Sequence, residues 1–70
     1  MIRELKTYMC PFNTTPKDDD IEKCIELAKQ NDCVIELFWR MMWSGNYSRY
    51  IYPESTFDEI KESLPKIYGV

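Results

Sequence analysis

The stretch Cys33–Tyr52, CVIELFWRMMWSGNYSRYIY, limits what this chain can fold into more than any other. Its first half alternates, with Cys33, Ile35, Leu37, Trp39 and Met41 on one side and Val34, Glu36, Phe38, Arg40 and Met42 on the other. A period of two marks a strand, because successive side chains of an extended backbone point to opposite faces. Ser44-Gly45-Asn46 interrupts the run, a tyrosine-rich segment follows from Tyr47 to Tyr52, and Pro53 stops it. Together these features predict a β-hairpin. A turn at Ser44-Gly45 would set Arg40 opposite Arg49, an unfavourable pairing of like charges. A turn at Gly45-Asn46 pairs Trp39 with Tyr52, Met41 with Tyr50 and Met42 with Arg49, and glycine suits the first central position of a type II′ turn. The second register is therefore the expected one.

Helices flank the hairpin. Thr15 can cap the first, Pro16 suits its first position, and Asp18 stands where a capping-box acid would. Asp18, Asp19 and Asp20 fall in the first turn, where the helix dipole favours negative charge. Consecutive helical residues splay by about 100°, so these three carboxylates do not converge on one metal ion. Ile21, Cys24, Ile25 and Ala28, with Leu27 at the edge, form a core-facing stripe. Gln30-Asn31-Asp32 ends the helix, with Asn31 suited to a left-handed conformation. The second helix is announced by Ser55 with Asp58 or Thr56 with Glu59, buries Phe57, Ile60 and Leu64, and closes at Pro65. Residues 2–10 fit either a helical stripe or a strand; Thr7-Tyr8 and the following Pro11 favour the strand. The tail, Lys66–Val70, is apolar enough to add an edge strand or to pack down.

The expected fold is α+β: a small two-layer β-α-β-β-α domain with both helices on one face of an antiparallel sheet. The sheet has three strands, or four if the tail joins it, and a right-handed crossover through the first helix leaves room for the third strand between the first two. Seventy residues make a single domain, 1–70, near the lower limit for a chain stabilised by a hydrophobic core alone. Its 44 % hydrophobic and 14 % aromatic content argues against disorder. No run approaches the roughly 20 apolar residues of a membrane span, and the charged segment MIRELKTYM lacks the apolar centre of a signal peptide, so a cytoplasmic location is expected. Cys10, Cys24 and Cys33 fit no metal-ligand spacing, and the chain has no histidine. They read as reduced, buried thiols, and neither a metal nor another cofactor is expected.

Enzymatic signatures are missing. Without histidine the commonest general base is lacking, and two glycines, Gly45 and Gly69, cannot build a phosphate loop. A non-enzymatic binding role is the better expectation. The net charge of −3 is unevenly spread, with acids on the helical segments and Arg3, Lys6, Arg40 and Arg49 on the strand segments. If the helices cover the Ile35 side of the sheet, the other side shows Phe38, Arg40 and Met42, joined in the expected register by Tyr47 and Arg49. Aromatic, methionine and arginine side chains are favoured at protein-binding hot spots. The helix acids Asp18, Asp19, Glu22, Glu26, Asp58 and Glu62 offer a second surface, able to imitate nucleic acid in a partner's basic groove; ordinary solvation is the plainer account of them. The expected partner is another protein; the alternative is that the tail or the opposite protomer of a homodimer covers the sheet face. Size and character resemble small inhibitors or adaptors of phages and other mobile elements, which block a host nucleic-acid-processing or defence enzyme. The runner-up is a single-stranded RNA or DNA binder using the aromatic and basic sheet face. Two features count against it: Asn46-Tyr47-Ser48-Arg49-Tyr50 does not fit the RNP1 pattern, and the chain is acidic overall.

Overall fold

The computed structural model describes residues 3–64. The elements run β1 (Leu5–Met9), α1 (Asp18–Asn31), β2 (Val34–Met41), β3 (Gly45–Ile51) and α2 (Phe57–Ser63). This is the expected α+β chain in the expected β-α-β-β-α order. The sheet, however, is mixed rather than antiparallel throughout, and its order is β1-β2-β3. β1 pairs parallel with β2, Leu5 beside Val34 and Met9 beside Phe38. β3 does not slot between them. The central position goes to β2, the most apolar strand, while β3, with Asn46, Ser48 and Arg49, suits an edge. A parallel neighbour needs a long crossover, which α1 supplies. The expected fourth strand from the tail lies outside the described residues. No helix among them is long and apolar enough to cross a membrane.

Both helices cover one face of the sheet. Ile35, Leu37 and Trp39 of β2, Ile51 of β3, Ile21, Cys24, Ile25 and Ala28 of α1 and Ile60 of α2 form one buried cluster with Cys10 and Cys33. The α1 stripe is thus the one its 3.6-residue spacing predicts. The Trp39 indole N–H lies in this core without an acceptor among the described residues.

The helix ends differ in detail from expectation. The cap of α1 falls at Lys17, two residues after the expected one, because Asp20 supplies the capping contact: its Oδ2 accepts from the Lys17 backbone N–H at 2.9 Å. Thr15 stays outside the helix, as a residue preceding proline disfavours helical backbone. The other Asp20 oxygen accepts from the Tyr8 hydroxyl at 2.8 Å, tying the start of α1 to β1. At the far end Asp32, not Asn31, takes the left-handed conformation (φ 46°). Asn31 instead donates its side-chain amide to the Leu27 carbonyl at 2.9 Å. α2 is capped by Thr56, whose hydroxyl accepts from the Glu59 N–H, one of the two expected pairings.

Candidate protein-binding surface

The hairpin register decides which side chains share a face, and it differs from both registers the sequence suggests. Met41 pairs with Gly45, Trp39 with Tyr47, Leu37 with Arg49 and Ile35 with Ile51. The tip is therefore three residues, Met42-Trp43-Ser44, closed by Gly45 at φ +100°. A glycine with positive φ after a three-residue loop is the common alternative to a type II′ turn. A Cβ on Gly45 would meet nothing within 4 Å, so its backbone angle, not space, calls for glycine there.

This register differs from the expected one by an odd number of residues, which turns every β3 side chain to the opposite face. The expected cluster of Phe38, Arg40, Met42, Tyr47 and Arg49 is split as a result. Phe38 and Arg40 lie on the sheet face away from the helices. Tyr47 lies on the helix side, stacked on Trp39 with ring centroids 5.6 Å apart. Arg49 is on that side too, its Nε donating to the Ser63 hydroxyl at 2.8 Å and an Nη to the Tyr50 carbonyl at 2.7 Å. It clamps β3 to the end of α2. Met42 sits in the tip. One signal in the sequence points to the true register: Ile51, the one branched aliphatic of the second arm, belongs in the core, and only an odd shift from the expected register puts it on the side of Ile35.

No helix among the described residues covers the opposite face. Pairing places Leu5, Thr7 and Met9 of β1, Val34, Glu36, Phe38 and Arg40 of β2, and Asn46, Ser48 and Tyr50 of β3 there, with Tyr52 just beyond. Leu5, Met9, Tyr50 and Tyr52 are among the most exposed large apolar side chains of the described chain. The sequence reading missed all four, the tyrosines through the register and the β1 pair because that strand's neighbour was unknown. The face is electrically near neutral. Glu36 accepts from the Thr7 hydroxyl at 3.2 Å, and the Arg40 guanidinium lies 5.9 Å from the centre of the Phe12 ring. Lys6, paired with buried Ile35, falls on the helix side, so the expected positive sheet face does not form.

At one end the face continues onto the hairpin tip. The 11–14 loop lies against the end of β2: Asn13 donates its backbone N–H to the Arg40 carbonyl at 2.7 Å, and its side-chain oxygen accepts from the Met42 N–H at 3.0 Å. The Tyr47 hydroxyl donates to the Ser44 carbonyl at 3.0 Å from the other side. These bonds hold the tip while Trp43 projects from it 91 % exposed. Beside the tip, Met9, Cys10, Phe12, Phe38, Arg40 and Asn46 line a shallow hollow of about 250 Å³.

The acidic residues occupy the helix layer. Asp18, Asp19, Glu22, Glu26, Asp58 and Glu62 are all exposed. Asp18 pairs with Lys61 at 2.9 Å, joining α1 to α2, and Glu26 accepts from the Gln30 amide at 2.9 Å. Glu22 and Glu26 border a hollow of about 480 Å³ with Ile25, Lys29, Ser55, Thr56 and Phe57. No group of three or more acidic or thiol side chains among the described residues is placed to hold a metal ion. Burial pushes the Cys10 thiol up to about 11 and Cys24 to about 12, so both stay protonated and unreactive at neutral pH. No family model, curated protein or solved structure matches this chain.

Proposed function

We propose that this protein works without catalysis, by binding another protein through the uncovered sheet face and the adjoining hairpin tip. One observation carries the reading: large apolar side chains are collected on the sheet face that no helix among the described residues covers, and they run on to a braced, almost fully exposed tryptophan. Leaving such a surface in water is unfavourable, and contiguous exposed apolar patches of this kind mark interaction sites. Tryptophan and arginine are the residues most often found as binding anchors. Here Trp43 and Arg40 take that role, with Met42 between them and Phe38 next to Arg40 on the same face of β2. The corresponding cellular role is a small cytoplasmic inhibitor or adaptor of the kind encoded by phages and mobile elements, acting on a host enzyme or complex.

The nucleic-acid alternative is weakened by the face's charge. Its aromatic side chains could stack bases, but among its described strand residues Arg40 is the one cation and Glu36 lies on the same strand two pleats away, a poor match for phosphates. The test is affinity capture from cell lysate with and without nuclease, using wild type, Trp43→Ala and Arg40→Ala. A protein captured stoichiometrically after nuclease, and lost with Trp43→Ala, supports the reading. Capture of nucleic acid that disappears with Arg40→Ala and falls steeply with salt would replace it with the alternative.

A further inference from the structure

We infer that the occupant of the central sheet face is a second copy of this chain, packed face to face about a two-fold axis over Phe38. This rests on reading that face as a binding surface and names the partner for its central part. The argument is charge symmetry. On β2 the uncovered side presents Glu36, Phe38 and Arg40 in order, with pairing directions fixed by Ile35, Leu37 and Trp39 on the buried side. Strand rise puts Glu36 and Arg40 about 13 Å apart, symmetrically about Phe38. In a two-fold dimer the same patch meets itself. An axis midway between the sheets and crossing β2 at right angles over Phe38 turns the second strand antiparallel. Glu36 of each copy then faces Arg40 of the other, twice, with Phe38 against Phe38 and Met9 against Met9. An axis parallel to the strands would instead stack Glu36 on Glu36 and Arg40 on Arg40. The charges therefore choose one of the two packings and reject the other.

Area and spacing agree. Packed sheets stand about 10 Å apart, a gap that a glutamate and an arginine reaching from opposite sides can span. The face offers Leu5, Met9, Tyr50 and Tyr52, each 41–67 % exposed. A large side chain presents 150–250 Å² in full, so each leaves on the order of 100 Å² to cover. With Val34, Phe38 and the polar side chains between them, the total approaches the roughly 800 Å² per partner of a standard stable interface. The dimer takes up Phe38 and Arg40 for the second copy and leaves the two Trp43 tips, with Met42, projecting at opposite ends to meet any further target.

The test is sedimentation equilibrium of the full chain with charge-reversal variants, each checked for folding by circular dichroism. Wild type is expected at twice the 8.4 kDa chain mass. Glu36→Arg alone and Arg40→Glu alone each set like charges together twice and should weaken self-association by about tenfold or more. Mixing these two variants restores opposite charges at both places, so the mixture should dimerise although neither component does, and the double variant Glu36→Arg/Arg40→Glu should dimerise like wild type. Should a reversal unfold the chain, Glu36→Gln and Arg40→Gln replace it: each alone should weaken association, and their mixture, which regains one of the two Glu36–Arg40 pairs, should recover part of it. A wild type that stays monomeric, or single variants that associate as wild type does, would overturn the dimer. If a monomeric wild type still captures another protein, and Phe38→Ala or Trp43→Ala abolishes that capture, the dimer fails while the binding surface stands. If neither substitution affects capture, both fail.

Discussion

Asp20 makes the sharpest test of how the two layers are joined. One of its oxygens caps α1 by accepting from the Lys17 N–H, and the other accepts from the Tyr8 hydroxyl of β1. Removing a capping side chain costs about 1 kcal/mol. A hydrogen bond to a charged group contributes about 1.5 kcal/mol, with the low end apt here because Tyr8 is partly exposed. Asp20→Ala should therefore destabilise the domain by roughly 2.5 kcal/mol, and at about 4–8 °C per kcal/mol for a domain of this size the midpoint should drop by about 10–20 °C. Asp19→Ala, one residue earlier and exposed, should stay within about 0.5 kcal/mol of wild type. Urea unfolding followed by circular dichroism and tryptophan fluorescence gives these values. Tyr8→Phe completes the cycle: it should cost about 1.5 kcal/mol in wild type and almost nothing in Asp20→Ala. The same bond holds the Tyr8 phenol up at about 12, so in Asp20→Ala its titration should move back towards 10. Equal losses for Asp19→Ala and Asp20→Ala, or additive effects of Tyr8→Phe and Asp20→Ala, would refute the bridge and the placement of β1 that depends on it.

Other perturbations read other parts of the structure. Gly45→Ala forces a side chain onto a backbone at φ +100° and should cost about 1–2 kcal/mol in thermal unfolding, although the Cβ itself has room; an unchanged midpoint would argue for a different turn. Trp39→Phe removes a buried donor that has no acceptor among the described residues, and should cost less than the roughly 2–5 kcal/mol of Leu37→Ala in the same core. Raising the pH should destabilise the fold from about 9 upward. The unfolded thiols ionise near 9.0, whereas folded Cys10 and Cys24 hold their protons until about 11 and about 12. Between those values the folded state binds more protons, so stability is complete below about pH 9 and is lost as pH rises through that window; a melting temperature flat to pH 11 would contradict the burial of these thiols. Asn13→Ala removes the acceptor for the Met42 N–H and should speed amide hydrogen exchange at the hairpin tip while leaving β2 protected.

Where the sequence was legible, the signal was periodic. The α1 stripe from Ile21 to Ala28 and the β2 alternation from Cys33 to Met41 identify their buried faces without reference to any partner. Local capping chemistry also served α2, where Thr56 and Glu59 pair as their spacing suggests. What failed depends on comparing alternatives of similar local quality. Ser44, Gly45 and Asn46 allow several turns, and the choice among them moves Tyr47 and Arg49 from one face to the other. The apolar Met42-Trp43 pair disguised the tip as more strand, since tips are commonly polar. Strand order was likewise hidden, because whether β2 or β3 lies in the middle depends on which strand best tolerates burial on both sides. For the candidate surface the consequence was partial: Phe38, Arg40 and Met42 were found, while Tyr50, Tyr52, Leu5, Met9 and Phe12 became visible only with the pairing.

The central claim is that the uncovered face and its tip hold another protein, and paired affinity captures test it most directly. Wild type, a surface variant (Phe38→Ser with Trp43→Ser) and a helix variant (Asp19→Lys with Glu22→Lys) would be compared after nuclease treatment. The account predicts a stoichiometric protein partner retained by wild type and by the helix variant and lost by the surface variant. A partner retained by the surface variant but lost by the helix variant would contradict it and move the site to the acidic layer.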